Sequence, residues 1–147
     1  MLFISGDFMS NLHGEWNLVT WSRSATGKPV VFPFGEKPKG LLIYTANKNM
    51  IVQMLLSDRA LVGSTDPVGG SEAERVNAYS GNLSYFGTYE IAGDDIIHKI
   101  VGSAYPNWSN TTQSRSYIIE GNSLTLKTKP APDDPTQTIN SMIWVKS

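Results

Sequence analysis

The 147-residue chain contains no cysteine. This absence excludes disulfides, thiolate catalysis, iron–sulfur clusters and cysteine-bound zinc, and it favours a reducing, cytoplasmic location. The chain also has only two histidines, so a multi-histidine metal site is excluded. A carboxylate-assisted metal site or a single axial haem ligand is left open. Because the usual metal ligands are missing or scarce, the leading expectation is that the protein holds neither a metal nor another cofactor.

The chain also lacks a large excess of either charge. Twelve basic residues balance thirteen acidic ones, for a net charge of −1, so no overall field attracts nucleic acid or an anionic membrane. No apolar run approaches the roughly 18 residues of a membrane helix. The opening residues MLFISGDF lack the basic and long apolar regions of a signal peptide. We therefore expect no nucleic-acid partner and no membrane partner.

The length fits a single domain with one hydrophobic core. The first residues show neither a helical nor a strand period. We therefore expect an N-terminal extension over residues 1–13, followed by one domain over residues 14–147.

Short segments of β-branched and aromatic residues, separated by Gly, Asn, Asp and Pro, dominate the chain and predict an all-β fold. Three connections supply residues that tolerate positive φ in tight hairpins: Asn47-Lys48, Gly93-Asp94 and Gly121-Asn122. The strands that they join should therefore be antiparallel. Eight such strands can close a barrel that is just wide enough for one small ligand. The eight predicted segments span roughly residues 14–24, 39–46, 49–57, 86–92, 95–103, 111–119, 123–129 and 138–146.

One stretch has the spacing of a helix. Ser71 followed by Glu74 matches a capping box. An apolar stripe with intervals of three or four residues follows and consists of Val76, Tyr79, Leu83 and Phe86. We predict one short helix here, which covers an end or edge of the barrel as a plug or lid.

Several motifs occur in a fixed order along the chain: Gly14-Glu15-Trp16, the runs 40–45, 50–54 and 86–93, then His98, Pro106-Asn107-Trp108, Gln113 and Arg115. In this order they resemble the lipocalin-like domain family over about residues 14–145. The resemblance implies an eight-stranded, up-and-down β-barrel with a central cavity, and it implies no particular reaction. Unlike a secreted lipocalin, the chain has no clear arginine in the last strand to cover Trp16, and Lys146 could take that place.

Two of the predicted strands carry polar residues on a face that also holds apolar ones. Successive side chains on a strand face opposite sides, so His98 shares a face with Ile96 and Ile100. Because the two strands are consecutive, His98 and Arg115 could approach one another across the sheet. The matching face of the next strand carries Gln113, Arg115, Tyr117 and Ile119.

A polar cluster at one end of an apolar cavity would orient a carbonyl, carboxylate or phenolate. In the catalytic interpretation, His98 is a general acid or base, and Arg115 or Tyr117 stabilises an enolate. In the structural interpretation, Arg115 pairs with Glu90 or a loop carbonyl, and His98 is an ordinary core histidine. The sequence leaves both open.

The other candidates for the pocket wall are apolar or aromatic, and each of them would equally suit an ordinary core. Methionine on an inner face suits a soft, irregular ligand, although barrel interiors also use it as filler. With Gln113 at the polar end, the predicted ligand-binding residues are Trp16, Leu18, Leu41, Ile43, Met50, Val52, Met54, Tyr89 and Trp108.

The leading hypothesis is a barrel that binds a small apolar or amphipathic metabolite. The rival is a cofactor-free isomerase or cyclase of secondary metabolism that acts on a polyketide- or terpenoid-like substrate in the same cavity. A third hypothesis is a structural or interaction protein whose interior is filled. The expected partner is a small molecule, and a homodimer is left open.

Overall fold

The computed structural model describes residues 11–147, so most of the predicted extension over residues 1–13 lies outside the described residues. Eight antiparallel strands, each hydrogen-bonded to the next, form a closed barrel because β8 pairs back with β1. The predicted eight-stranded, up-and-down barrel with one short helix is thereby confirmed. The strands are β1 (Gly14–Ser24), β2 (Lys39–Tyr44), β3 (Asn49–Leu55), β4 (Asn82–Ala92), β5 (Asp95–Ser103), β6 (Thr111–Glu120), β7 (Ser123–Thr128) and β8 (Ile139–Lys146).

The two ends of the barrel differ in the length of their connections. Three tight hairpins lie at one end, and each contains a residue with positive φ: Lys48 at 69°, Gly93 at 64° and Gly121 at 60°. We call this the closed end. The opposite, open end carries four long connections, which span residues 25–38, 56–81, 104–110 and 129–138.

The helix α1 (Glu72–Ser80) lies in the long connection between β3 and β4. Its predicted capping box is present: the Ser71 side chain accepts a hydrogen bond from the Glu74 amide, and the Glu74 carboxylate accepts one from the Ser71 amide. No residue of α1 is buried. The helix therefore borders the open end and does not plug it.

The predicted apolar stripe extends beyond the C-terminal end of the helix. The helix ends before Gly81, whose amide donates to the Asn77 carbonyl, and a glycine is a poor residue for continuing a helix. Leu83 and Phe86 therefore belong to β4. Within 11–147, no helix combines the length and apolar character needed to cross a membrane.

Large buried side chains fill the closed end. The indole Nε1 of Trp16 donates to the Leu12 carbonyl at 2.9 Å, and the Lys146 ammonium lies over the Trp16 ring. Lys146 thus takes the covering position that the sequence suggested for it. The residues with almost no exposure here are Leu12, Trp16, Leu42, Tyr44, Ile96, Leu124 and Trp144.

Candidate functional site

A cavity of about 940 Å³ opens at the open end of the barrel. This volume exceeds the roughly 300 Å³ at which small-molecule sites begin, so side chains do not fill the open end of the barrel. Much of the wall is apolar and aromatic. The residues of this part of the wall include Trp21, Phe34, Met54, Leu83, Trp108 and Met142.

Arg115 brings a positive charge to this wall. It lies on the inner face of β6 and is 6% exposed. One of its guanidinium nitrogens donates to the Ser114 carbonyl at 3.1 Å, and the group lies 5.7 Å from the centre of the Trp108 ring. Among residues 11–147 it forms no salt bridge. Glu90 pairs instead with Lys99 at 3.6 Å, so the proposed Arg115–Glu90 pair is absent from the described part of the chain.

The other charged groups of the wall leave an excess of positive charge. Arg23 donates from Nε to the Asn140 side-chain oxygen at 2.9 Å, and the Lys129 ammonium pairs with Asp95. The one carboxylate of the wall, Asp134, accepts hydrogen bonds from Thr136 and Thr138. The wall thus carries the cations Arg23, Arg115 and Lys129 against the single carboxylate of Asp134.

His98 lies beneath the cavity and is held between two tyrosines. Its Nε2 is 2.7 Å from the Tyr44 hydroxyl, and its Nδ1 is 2.8 Å from the Tyr85 hydroxyl. His98 is 1% exposed and does not line the cavity, whereas Tyr85 does. The three side chains therefore form a hydrogen-bonded chain that runs from the barrel core to the cavity wall.

Burial keeps this chain neutral. Burial, followed by the nearby positive charge of Arg115, lowers the pKa of His98 to about 3. Burial raises the pKa of Tyr44 well above its ordinary value. It also raises the pKa of Tyr85, although the charge and hydrogen bonding of Arg115 act in the opposite direction. Near neutral pH the three hydrogen-bonded side chains are therefore one imidazole and two phenols, all uncharged.

Some of the residues predicted from the sequence meet at the cavity. Met54, Trp108, Gln113 and Arg115 all line it. The Gln113 amide nitrogen donates to the Thr111 hydroxyl at 3.1 Å. The 3-10 turn Pro106–Trp108 thus lies beside the inner face of β6.

Other predicted residues lie away from the cavity. Tyr89 donates to the Thr45 carbonyl at 2.9 Å, deeper in the barrel. Tyr117 is half-buried against the core, where burial, followed by the charge of Asp94, raises its pKa. The remaining members of this group are buried in the core without lining the cavity, and they are Trp16, Leu18, Met50 and Val52.

The structure corrects the placing of Leu41 and Ile43. Both were expected in the pocket, but the inner face of β2 carries Leu42 and Tyr44. Leu41 is 40% exposed, and Ile43 lies on the outer surface beside Ile51. Both faces of β2 are apolar, so the alternation of the sequence did not distinguish the inside from the outside.

The sequence interpretation missed both tyrosines that bind His98. Tyr85 was assigned to the helical region, although its spacing of four from Tyr89 is also the spacing of two residues on one strand face. Tyr44 follows the same inward alternation as Leu42. Arg23 and Trp21 at the mouth were missed as well, because the sequence does not tell which end of a strand reaches the opening.

A family model described as a lipocalin-like domain matches residues 13–147 of the chain. No curated protein matches it, and no solved structure does. Within the described range, no group of three or more His, Asp or Glu residues is placed to hold a metal ion.

Proposed function

Because the chain belongs to the lipocalin-like domain family, we propose that its barrel binds a small, mainly apolar organic molecule that carries an acidic or carbonyl oxygen. The observation that supports this most directly is the position of Arg115. Its guanidinium lies on the wall of a cavity of about 940 Å³ and has no carboxylate partner among residues 11–147.

An unpaired guanidinium with little exposure is costly, because burial removes water from a charge that nothing else neutralises. A carboxylate, phenolate or carbonyl oxygen of a bound molecule would accept charge-assisted hydrogen bonds from Arg115. Arg23 adds positive charge nearer the mouth, whereas the ammonium of Lys129 is paired with Asp95. The cavity therefore favours an anionic or strongly polarised oxygen, although the whole chain carries a net charge of −1.

The rest of the wall suits the apolar part of the same molecule. Trp21 packs edge-on against Phe34, with ring centres 4.7 Å apart, and Met54 and Met142 offer adaptable thioether surfaces. An amphipathic molecule would place its oxygen against Arg115 and its hydrocarbon part against these side chains. This division is common in small-molecule sites, where a few polar groups fix the orientation.

Two probes of similar shape test this proposal. Anilinonaphthalene sulfonate is apolar and anionic, and phenylnaphthylamine is apolar and neutral. Arg115→Met should weaken binding of the anionic probe by about tenfold or more, as expected for a lost hydrogen bond to a charged group. Affinity for the neutral probe should stay within about twofold. Lys127→Met, an exposed change on β7, is the matched control and should alter neither affinity.

Equal losses for both probes in Arg115→Met would mean that Arg115 shapes the cavity and does not recognise charge. Failure of both probes to bind the wild-type protein would contradict the binding function itself. If the wild-type protein binds the anionic probe, native mass spectrometry of protein purified gently from its host, followed by extraction, would identify the natural ligand.

A second candidate function is a cofactor-free isomerase or cyclase for a polyketide- or terpenoid-like substrate. The chain of Tyr44, His98 and Tyr85 favours it, because this chain supplies a neutral donor at the cavity wall next to Arg115. Such donors stabilise an enolate oxygen. The acid role first assigned to His98 then passes to Tyr85, since His98 lies behind the wall.

Turnover separates this candidate from simple binding. The compound extracted from the protein is incubated with a fresh preparation, and products are sought by mass spectrometry. An acid–base role predicts that Tyr85→Phe lowers the rate by roughly 10²–10⁴. If the compound is unchanged after long incubation, only the binding function is supported.

A further inference from the structure

The hydrogen atoms in the chain of Tyr44, His98 and Tyr85 can be assigned from the partners of each group. A neutral imidazole carries one N–H, so His98 donates to one tyrosine and accepts from the other. Two arrangements are available. Either Nε2 accepts from Tyr44 and Nδ1 donates to Tyr85, or both directions are reversed.

Tyr44 distinguishes the two arrangements. Its residue is 1% exposed, and within residues 11–147 its hydroxyl has a single hydrogen-bond partner, Nε2 of His98 at 2.7 Å. If Nε2 carried the proton, the Tyr44 O–H would be buried without an acceptor, which folded proteins avoid. The Tyr44 hydroxyl therefore donates to Nε2, and the His98 proton is on Nδ1.

The direction of the next hydrogen bond follows. Nδ1–H of His98 donates to the Tyr85 oxygen at 2.8 Å. The guanidinium of Arg115, which carries only donors, is close enough to interact with the same hydroxyl. His98 and Arg115 both offer donors to its oxygen, and among residues 11–147 Tyr85 has no acceptor for its own O–H. Tyr85 borders the cavity, so this O–H is available to a bound molecule.

We propose that Tyr44 and His98 hold the Tyr85 hydroxyl as a hydrogen-bond donor into the cavity, so that the site selects molecules by an oxygen acceptor placed between Tyr85 and Arg115. This inference rests on the proposed binding function. It makes His98 a positioning residue that touches no ligand. Carboxylates, phenolates, enolates and carbonyl compounds fit this pair of donors, whereas an ammonium group, which itself carries only donors, would find no acceptor there.

The position of the His98 proton can be measured on the full-length, ligand-free protein. Long-range ¹H–¹⁵N correlation spectra distinguish a protonated ring nitrogen from an unprotonated one, and His13→Asn assigns the two histidines. We expect His98 to carry its proton on Nδ1 alone at neutral pH. A proton on Nε2, or on both nitrogens, would overturn the inference.

The donor role of Tyr85 is tested with the same two probes. Tyr85→Phe should weaken anilinonaphthalene sulfonate about tenfold, the effect of one lost hydrogen bond to a charged acceptor, and leave phenylnaphthylamine within about twofold. An unchanged affinity for the anionic probe would overturn the donor role. If Tyr85→Phe fails to fold, the spectra of the wild-type protein still decide the direction of the chain.

These outcomes separate the two proposals. If the wild-type protein binds neither probe, the binding function fails whatever the spectra show. If it binds the anionic probe but His98 carries its proton on Nε2, the binding function stands and the donor chain is refuted.

Discussion

The Lys146 ammonium lies 5.2 Å from the centre of the Trp16 indole ring and donates a hydrogen bond to the Asn11 carbonyl at 2.9 Å. The indole in turn donates to the Leu12 carbonyl. The last strand thus holds the residues before β1 against the closed end. A charged group over an aromatic face is stabilising, and its hydrocarbon stem covers apolar surface.

Lys146→Met should lower the free energy of unfolding by about 1–2 kcal/mol, because it removes the cation–π contact and the hydrogen bond but keeps the stem. Urea unfolding followed by tryptophan fluorescence measures this loss. Lys127→Met is the control, since Lys127 is an exposed lysine on β7. Equal stability of the two variants would show that the contact with Trp16 contributes nothing.

The buried, neutral state of His98 predicts an acid-sensitive fold. Its pKa is about 3 in the folded protein and about 6.5 in an unfolded chain. Between these values the unfolded chain binds a proton that the folded protein does not. Stability is therefore complete above pH 6.5 and falls as the pH drops toward 3, by up to about 1.4 kcal/mol per pH unit.

Urea midpoints at several pH values between 6.5 and 4 would reveal this slope. In His98→Gln the slope should be shallower by about the contribution of one proton, while the carboxylates contribute equally to both proteins. If that variant does not fold, the wild-type ring protons of His98 serve instead. Their NMR shifts should not change from pH 7 to pH 5, and a titration within that range would contradict the prediction.

Gly87 lies on the inner face of β4 at an irregularity in its pairing with β5. A Cβ atom at this position would lie 2.0 Å from the Lys99 carbonyl oxygen. Gly87→Ala should therefore force the two strands apart and cost about 1–3 kcal/mol, the usual range for overpacking. Thermal unfolding followed by circular dichroism measures the loss.

Gly121→Asn is the control for this change. Gly121 has positive φ, but nothing lies within 4 Å of a Cβ built there, and asparagine tolerates this backbone conformation. Its stability should change by a few tenths of a kcal/mol. A loss in Gly121→Asn as large as that in Gly87→Ala would point to turn geometry and not to the close approach of the strands.

The capping box of α1 predicts a local effect at the open end. Ser71→Ala removes the acceptor for the Glu74 amide, and a lost N-cap costs about 1 kcal/mol. Amide hydrogen exchange within α1 should become about fivefold faster, while exchange in β5 stays unchanged. Uniformly faster exchange would show that the cap supports the whole barrel.

The sequence predicted the barrel because two local signals agreed. Alternating β-branched and aromatic segments indicated strands, and Gly93 and Gly121 marked tight turns that force antiparallel neighbours. Alternation also placed His98 and Arg115 on apolar faces, and both are buried. These features depend on residues close together in the chain, which is why a single sequence reveals them.

The site was harder to predict, because a cavity depends on which residues of different strands lie at the same height. His98 and Tyr85 lie on the paired strands β5 and β4 but are not register partners, since His98 lies opposite Tyr89. Tyr44 reaches His98 from β2. On β2, apolar residues on both faces hid the direction of the interior. The placement of Leu83 and Phe86 failed for a related reason, since three- and four-residue spacings fit a helix until Gly81 is recognised as its end.

The long connections gather at one end of the barrel, and the tight hairpins and large side chains occupy the other. A molecule held by Arg115 and Tyr85 would therefore enter with its acceptor oxygen first and leave through the same opening. Its tail would remain near the mouth, beside residues of the long connections such as Phe34, Tyr79 of α1 and Tyr105. A barrel with a single opening would discriminate strictly among the polar groups of its ligands and tolerate hydrocarbon tails of different lengths.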